Sequence, residues 1–275
     1  MDTPHITPKV PVFRNLLNAW GTVLPNFGLI LRLYWPWMAI VVVAMLAWGA
    51  AILLNSGFST PTPVVVGGTA WLPGLVATIA MIIAIPAVFV GWHRGIHRGE
   101  RPSQPIVVDS GVWAYIGYSV LIGIALVLSI GFVILIATLI AAITTGLGDG
   151  PMSIERLVAL RPFLPLAVIP YYLLLSRFSL VLPAVAVGQS MSLADSFRAT
   201  RGNTWRLTVG AGLVYLPVVI LSSLSEIIGV AFPSAVALIT GIAILLLLTT
   251  LFCTHAALSF GTFALKQLAP EPMTA

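Results

Sequence analysis

The chain has 275 residues, of which 59% are hydrophobic and only 8% are charged, and its mean hydropathy is +1.06. Soluble domains carry about 25% charged residues, so this composition excludes a soluble globular protein and favours an integral membrane protein. The net charge is +5, and the basic residues lie beside apolar runs. This placement favours contact with a membrane surface over binding of a nucleic acid.

The first 32 residues predict a cytoplasmic tail followed by an amphipathic helix. The start, MDTPHITPKVP, is polar and rich in proline, which is not typical of a signal peptide. From Val12 to Leu31 apolar residues recur at helical spacing, until Pro25 and Asn26 interrupt them. We expect this helix to lie in the membrane interface as an elbow; the alternative is an ordinary loop before the first span.

Six apolar runs follow, and each is close to or above the roughly 20 residues that cross a membrane as a helix. They cover residues 33–54, 71–92, 113–143, 163–187, 207–231 and 234–264. No sustained alternation of the β-barrel kind is present. We therefore predict an all-α polytopic membrane protein, with residues 1–275 as a single integral domain. Basic groups recur near the inner ends of alternate runs, which indicates six transmembrane helices in three tandem pairs.

The cationic residues predict which way the chain is threaded. With a cytoplasmic N-terminus, eleven of the 13 Lys and Arg residues lie inside, and only Arg156 and Arg161 lie outside. Cytoplasmic segments carry such an excess of cations. The predicted location is the bacterial inner membrane, with both termini in the cytoplasm.

One charged segment, SLADSFRATRGNTWRL, interrupts the apolar sequence from Ser192 to Leu207. Ser192 and Asp195 have the spacing of a capping box, which predicts a short helix from Leu193 to Arg201. Gly202 then ends this helix, and Asn203 caps the next span. We expect a second interfacial elbow on the cytoplasmic side, with an ordinary loop again as the alternative.

Two longer motifs carry a resemblance, SRFSLVLPAVAVGQSMSLADSFRATRGNTWRL and WHRGIHRGERP. The chain resembles a group of bacterial polytopic membrane proteins similar to the membrane domain attached to some glycerophosphodiester phosphodiesterases. The resemblance implies a six-helix α-domain with interfacial elbows. It implies no reaction, because the phosphodiesterase chemistry resides in a separate soluble barrel with metal-binding carboxylates and histidines.

The basic residues are the first group of candidate site residues. We expect six arginines to contact lipid headgroups or another anion, namely Arg94, Arg98, Arg177, Arg198, Arg201 and Arg206. Arg177 lies inside the fourth run, where it either snorkels to the interface or binds an anion within the bundle. His93 and His97 have a spacing that a metal can use, but a lipid-facing basic cluster is favoured and we expect no metal.

Two further candidates are polar groups inside apolar runs. Glu226 and His255 either line a polar path through the bundle or have purely structural roles. In the second case the Glu226 side chain reaches the outer surface, and His255 is hydrogen-bonded in the interior.

No motif of a hydrolase, metalloprotease or nucleotide-binding loop occurs in the chain, so we expect neither an enzyme nor a cofactor. The first hypothesis is a membrane protein whose basic cytoplasmic rim contacts anionic phospholipid or a partner protein. The alternative is a small-solute or lipid transporter that uses broken spans with Arg177, Glu226 and His255. A third, an enzyme acting on lipid phosphate, requires His93, Arg177 and His255 around one pocket.

Overall fold

A computed structural model describes residues 8–56, 71–101, 106–145, 164–231 and 236–269. These residues form helices joined by turns, and no strand occurs among them. In chain order the helices are α1 (Val12–Val23), α2 (Phe27–Ser56), α3 (Leu72–Arg98), α4 (Ser110–Thr145), α5 (Leu164–Phe178), α6 (Val181–Ala186), α7 (Leu193–Ala199), α8 (Thr204–Ala231) and α9 (Val236–Leu268).

Five of these helices are long and apolar enough to cross a membrane, namely α2, α3, α4, α8 and α9. Their outward side chains are apolar, with Leu46 of α2 69% exposed, Val127 of α4 69% and Leu247 of α9 70%. Contact between such an apolar surface and water is unfavourable, whereas contact with lipid tails is not. The chain therefore has the architecture of an all-helical, multi-pass membrane protein.

The fourth predicted run, 163–187, is not one continuous helix in the structure. It forms α5, which ends at Phe178, and the six-residue α6, which begins at Val181. Pro183 accounts for the break, because it has no N–H to donate to the carbonyl of Ser179 and its ring crowds that carbonyl. With 15 residues, α5 is shorter than the roughly 20 residues that a crossing requires.

Successive long helices pack together, α2 on α3, α4 on α5, and α8 on α9, while α3 also packs on α9. Glycines allow some of these approaches. A Cβ at Gly91 of α3 would lie 2.6 Å from the Leu33 side chain, and one at Gly210 of α8 would overlap the Phe260 ring. The buried hydrophobic core lies chiefly along α3, α6 and α9.

The predicted break between the first two helices is confirmed. The residues from Leu24 to Asn26 form a turn, and the Asn26 carbonyl accepts from the amides of Leu29 and Ile30 at 2.9 and 3.2 Å. The first long helix begins at Phe27, so it includes residues that the sequence assigned to the amphipathic segment. Helix α1 packs against α8 and α9.

One end of the bundle, here termed the basic end, gathers the starts of α2, α4 and α8 and the ends of α3, α5 and α9. Three contacts join these ends: Leu29 lies against Gly95, Lys266 Nζ donates to the His97 carbonyl, and the hydroxyl oxygens of Thr208 and Ser176 lie 3.0 Å apart. Within the described ranges, every Lys and Arg lies towards this end. Arg156 and Arg161, assigned to the other side from the sequence, lie outside the described residues.

Candidate functional site

Arg94 and Arg98 follow one another by one turn at the end of α3 but have different surroundings. Arg94 donates to both carboxylate oxygens of Asp109, at 2.6 and 3.2 Å, and its Nε donates to the Ala186 carbonyl at 2.8 Å. It thereby joins α3 to the start of α4 and the end of α6. Arg98 is exposed and lies 3.5 Å from a carboxylate oxygen of Glu100.

Asp109 also caps α4. One of its oxygens accepts from the amides of Gly111 and Val112, at 2.9 and 3.2 Å, two of the amides that a helix start leaves unpaired. The hydrogen bond from Arg94 lowers the pKa of this carboxyl below its usual value, and the two amides act in the same direction.

Arg177 lies in the last turn of α5 and contacts α7. Its Nη1 donates to the Phe197 carbonyl at 3.1 Å, and its Cζ lies 4.5 Å from the centre of the Phe197 ring. Ser196 strengthens the same junction, since its Oγ donates to the Arg177 carbonyl at 2.7 Å. Arg177 is therefore at the basic end, where it attaches the short helix to the bundle.

The predicted capping box at the start of α7 is confirmed. The Asp195 amide donates to Ser192 Oγ at 3.1 Å, and the Ser192 amide donates to Asp195 Oδ2 at 3.0 Å. The Ser192 hydroxyl and the Ser192 amide both donate to Asp195 Oδ2, and these two bonds lower the pKa of Asp195. Arg198 forms a 2.7 Å ion pair with Asp195, and both Arg198 and Arg201 are exposed. The helix ends at Ala199, two residues before the predicted Arg201.

The sequence predicted that the Asn203 side chain caps α8, but in the structure this side chain binds the segment before α1 instead. It is 1% exposed, its Oδ1 accepts from the Val10 amide at 2.8 Å, and its Nδ2 donates to the Pro8 carbonyl at 2.9 Å. Arg206 donates to the Val10 carbonyl at 3.0 Å. Both side chains therefore hold the segment that precedes α1. Arg206 was predicted to contact a lipid headgroup, and in the structure its guanidinium contacts the protein backbone.

Of the two intramembrane candidates, Glu226 lies far from Arg177, and His255 is enclosed by aromatic rings. Glu226 is exposed on α8, eighteen residues beyond Thr208, which is about 27 Å of helix. His255 is fully buried among the rings of Tyr34, Phe89 and Trp92, and its Nδ1 lies 2.9 Å from the Leu251 carbonyl. The structure does not bring Arg177, Glu226 and His255 together.

A buried polar seam joins α3 to α9. Trp92 Nε1 donates to Ser259 Oγ at 3.1 Å, and His93 Nδ1 lies 2.7 Å from Thr262 Oγ1. With His255, the α9 members recur at helical spacing of four and three residues on one face. This seam was not predicted from the sequence, although the spacing of polar residues within an apolar run is a signal that can reveal one.

Beside this seam is a cavity of about 400 Å³ at the basic end. Helices α3, α4, α5, α6, α8 and α9 all contribute to its lining, which is mostly apolar and, within the described residues, contains no Lys, Arg, Asp or Glu. Its polar members are His93, three tyrosines and four hydroxyl side chains; the tyrosines are Tyr115, Tyr172 and Tyr215. Arg177, Glu226 and His255 are not among the lining residues.

In the part of the chain that the structure describes, no group of three or more His, Cys, Asp or Glu residues is placed to bind a metal ion. His93, one of the two histidines with metal-like spacing, instead contacts Thr262.

Comparison with known proteins identifies no relative. No protein-family model, no curated protein and no solved structure matches the chain.

Proposed function

We propose that the chain is a multi-pass protein of the bacterial inner membrane whose basic end contacts anionic phospholipid headgroups on the cytoplasmic side. The observation that carries this proposal is the pairing of exposed cations with exposed aromatic rings at that end. Arg14 and Arg201 are exposed, while Phe13 is 74% and Trp205 68% exposed. Rings prefer the headgroup level, and each cation near an anionic surface contributes about 1 kcal/mol.

In this proposal α1 and α7 are interfacial elbow helices. Helix α1 exposes Phe13 and Leu17 while it buries Ala19 and Val23 against the bundle. Helix α7 exposes Phe197 beside its arginines. Both helices therefore present apolar side chains next to cations, as an interfacial helix does.

The proposal keeps six crossings, of which the fourth is the run 163–187 that contains α5 and α6. Both termini are then cytoplasmic, which agrees with the excess of cations at the basic end. The kinship with the membrane domain attached to some glycerophosphodiester phosphodiesterases is also proposed, on the motifs of residues 92–102 and 176–207. The chain acts in this proposal without catalysis and without a cofactor.

Transport of a small solute or lipid is the second candidate, and the cavity at the basic end favours it. A path of that kind would pass His93 and the lining hydroxyls rather than Arg177, Glu226 and His255. The exposed apolar surface fits either function, whereas the exposed cations favour lipid contact.

Lipid selectivity tests the proposal. The full chain is reconstituted with spin-labelled phosphatidylglycerol or phosphatidylcholine, and the fraction of each lipid immobilised at the protein is measured. We expect a preference for phosphatidylglycerol that falls by several-fold when Arg14, Arg198 and Arg201 are all replaced by Gln, and that weakens in high salt. The matched control replaces the same three residues by Lys, which keeps the charge. An equal preference in the Gln variant would contradict the proposal.

A further inference from the structure

The cavity at the basic end contains a hydrogen-bond acceptor without a partner. His93 lines the cavity and is 1% exposed. Its Nδ1 lies 2.7 Å from Thr262 Oγ1, and the Thr262 hydroxyl donates its proton to the Leu258 carbonyl at 2.9 Å. Since that hydroxyl has one proton, His93 Nδ1 is the donor in this pair and Nε2 of the neutral ring is an acceptor. Within the described residues Nε2 has no hydrogen-bond partner.

The hydroxyl side chains of the lining have the same polarity as His93 Nε2. Ser176, Ser179, Thr208 and Thr254 donate their protons to helix carbonyls at 2.8–2.9 Å. Each oxygen therefore retains lone pairs but has no further proton to give. Among the described residues the lining therefore offers chiefly acceptors to a ligand. The hydroxyls of Tyr115 and Tyr172 are its remaining donors, because Tyr215 is hydrogen-bonded to Thr254.

His255 shows why His93 is the informative one of the two histidines. Its Nε2 is also buried without a partner, and its Nδ1 is bonded to the Leu251 carbonyl. However, aromatic rings enclose His255, with Trp92 only 4.8 Å away between ring centres, and it does not line the cavity. Of the two unpartnered nitrogens, only Nε2 of His93 therefore belongs to a residue that lines the cavity.

The chemistry of the lining selects among ligands. An anion such as a phosphate would need donors or cations, and a buried ammonium would need a carboxylate; an unpaired charge in such a site is costly. The volume of about 400 Å³ lies in the range of small-molecule sites, about 300–1,000 Å³. The walls include Phe89, Leu258 and Phe260.

We infer that the cavity binds an uncharged, membrane-soluble molecule with a hydroxyl group. The hydroxyl donates to Nε2 of His93, and the apolar body of the molecule packs against Phe89, Leu258 and Phe260. This site is distinct from the basic surface that contacts anionic lipid, and its ligand has the opposite requirement, because a charged headgroup is excluded from it.

Photolabelling of the full chain in phosphatidylcholine nanodiscs tests this inference. The probe is a twelve-carbon primary alcohol with a diazirine, and the labelled peptides are identified by mass spectrometry. We expect label on the cavity segments of α5 and α8, and displacement of that label by 1-dodecanol. Dodecane, which has no hydroxyl group, should need about tenfold higher concentrations, the value of one hydrogen bond at its upper range. Dodecyl phosphate should also compete more weakly than 1-dodecanol, because its charge is costly to bury. Monolaurin is a second competitor, and its potency relative to 1-dodecanol distinguishes a glyceride from a simple alcohol.

Two variants separate the cavity from the lipid-facing surface. Ala211→Phe fills the cavity, whereas Gly212→Phe adds the same ring next to it, where a Cβ meets no atom within 4 Å. We expect the first variant to lose the label and the second to keep it. His93→Leu should remove the advantage of the alcohol over dodecane. If His93→Leu does not fold, the Ala211→Phe comparison decides.

The inference is overturned if Ala211→Phe retains the full label. It is also overturned if dodecyl phosphate competes as well as 1-dodecanol, or if label is confined to lipid-facing positions such as Val127 and Leu247.

Discussion

Asn203 accepts a hydrogen bond from the amide of Val10, at 2.8 Å, across 193 residues of sequence. Its amide group also donates to the Pro8 carbonyl, so one side chain pairs two backbone groups of the segment before α1. Val10 is fully buried at this contact. The start of α8 therefore determines where the N-terminal helix is attached to the bundle.

The first prediction concerns this attachment. Asn203→Ala leaves a buried amide and a carbonyl without partners, which costs about 1–3 kcal/mol, so we expect the segment of residues 8–11 to loosen from the bundle while α1 stays packed on α8 and α9. Limited proteolysis of the purified chain should then cleave near α1 several times faster than in the unchanged protein. Asn18→Ala, at an exposed position of α1, is the control and should have no effect. Equal cleavage of both variants would mean that Asn203 does not hold the segment.

The second prediction concerns close packing between α8 and α9. A Cβ at Gly210 would overlap the Phe260 ring, which is only 4% exposed and has little room to move. Gly210→Val should destabilise the protein by about 1–3 kcal/mol through overpacking, measured as a lower midpoint of denaturation in detergent. Gly212→Val adds the same side chain at an open position. If both variants lost stability equally, the packing explanation would fail.

The third prediction concerns the Arg94–Asp109 ion pair. Because Arg94 lowers the pKa of Asp109, the pair stabilises the fold above the unfolded carboxyl's pKa, about 4, and this contribution is lost as the pH falls through the lowered folded value. The Asp109 side chain is 39% exposed, so the effect is about 1 kcal/mol or less. Asp109→Asn should be less stable than the unchanged protein at pH 7, with a difference that shrinks at pH 3. A constant difference across this range would rule out the ion pair as its source.

The fourth prediction concerns Arg177. Its guanidinium both donates to the Phe197 carbonyl and stacks on the Phe197 ring. Arg177→Ala should loosen α7, seen as faster hydrogen exchange at the amides of residues 193–200. Arg177→Lys keeps the charge but not the planar contact and should protect these amides only in part. Unchanged exchange in both variants would show that the Arg177 side chain does not attach the helix.

Local signals made part of the fold predictable. The capping box of Ser192 and Asp195 depends on atoms three residues apart, and Gly202, whose φ is +82°, ends the turn where the sequence placed a stop. The break before Phe27 likewise follows from Pro25 and Asn26. Such features need only the preferences of neighbouring residues, so the sequence contains them directly.

Contacts between distant segments were not predictable in the same way. The partner of Asn203 lies near the other end of the chain, so a rule for helix starts assigned its side chain to the wrong amide. The cavity depends on six helices, and His93 was interpreted as part of a surface cluster because its neighbours Arg94 and His97 are polar. Only the packing of α3 on α9 shows that the His93 ring points to Thr262.

The most direct test of the central claim is the side of the membrane on which each end of α3 lies. In a Cys253→Ser background, the variants Glu100→Cys and Trp71→Cys place one thiol just beyond each end of α3, at exposed positions. A membrane-impermeant maleimide is added to intact cells, and again after permeabilisation. We predict that the Trp71→Cys variant is labelled in intact cells and that the Glu100→Cys variant is labelled only after permeabilisation. Labelling of the Glu100→Cys variant in intact cells would contradict a cytoplasmic basic end.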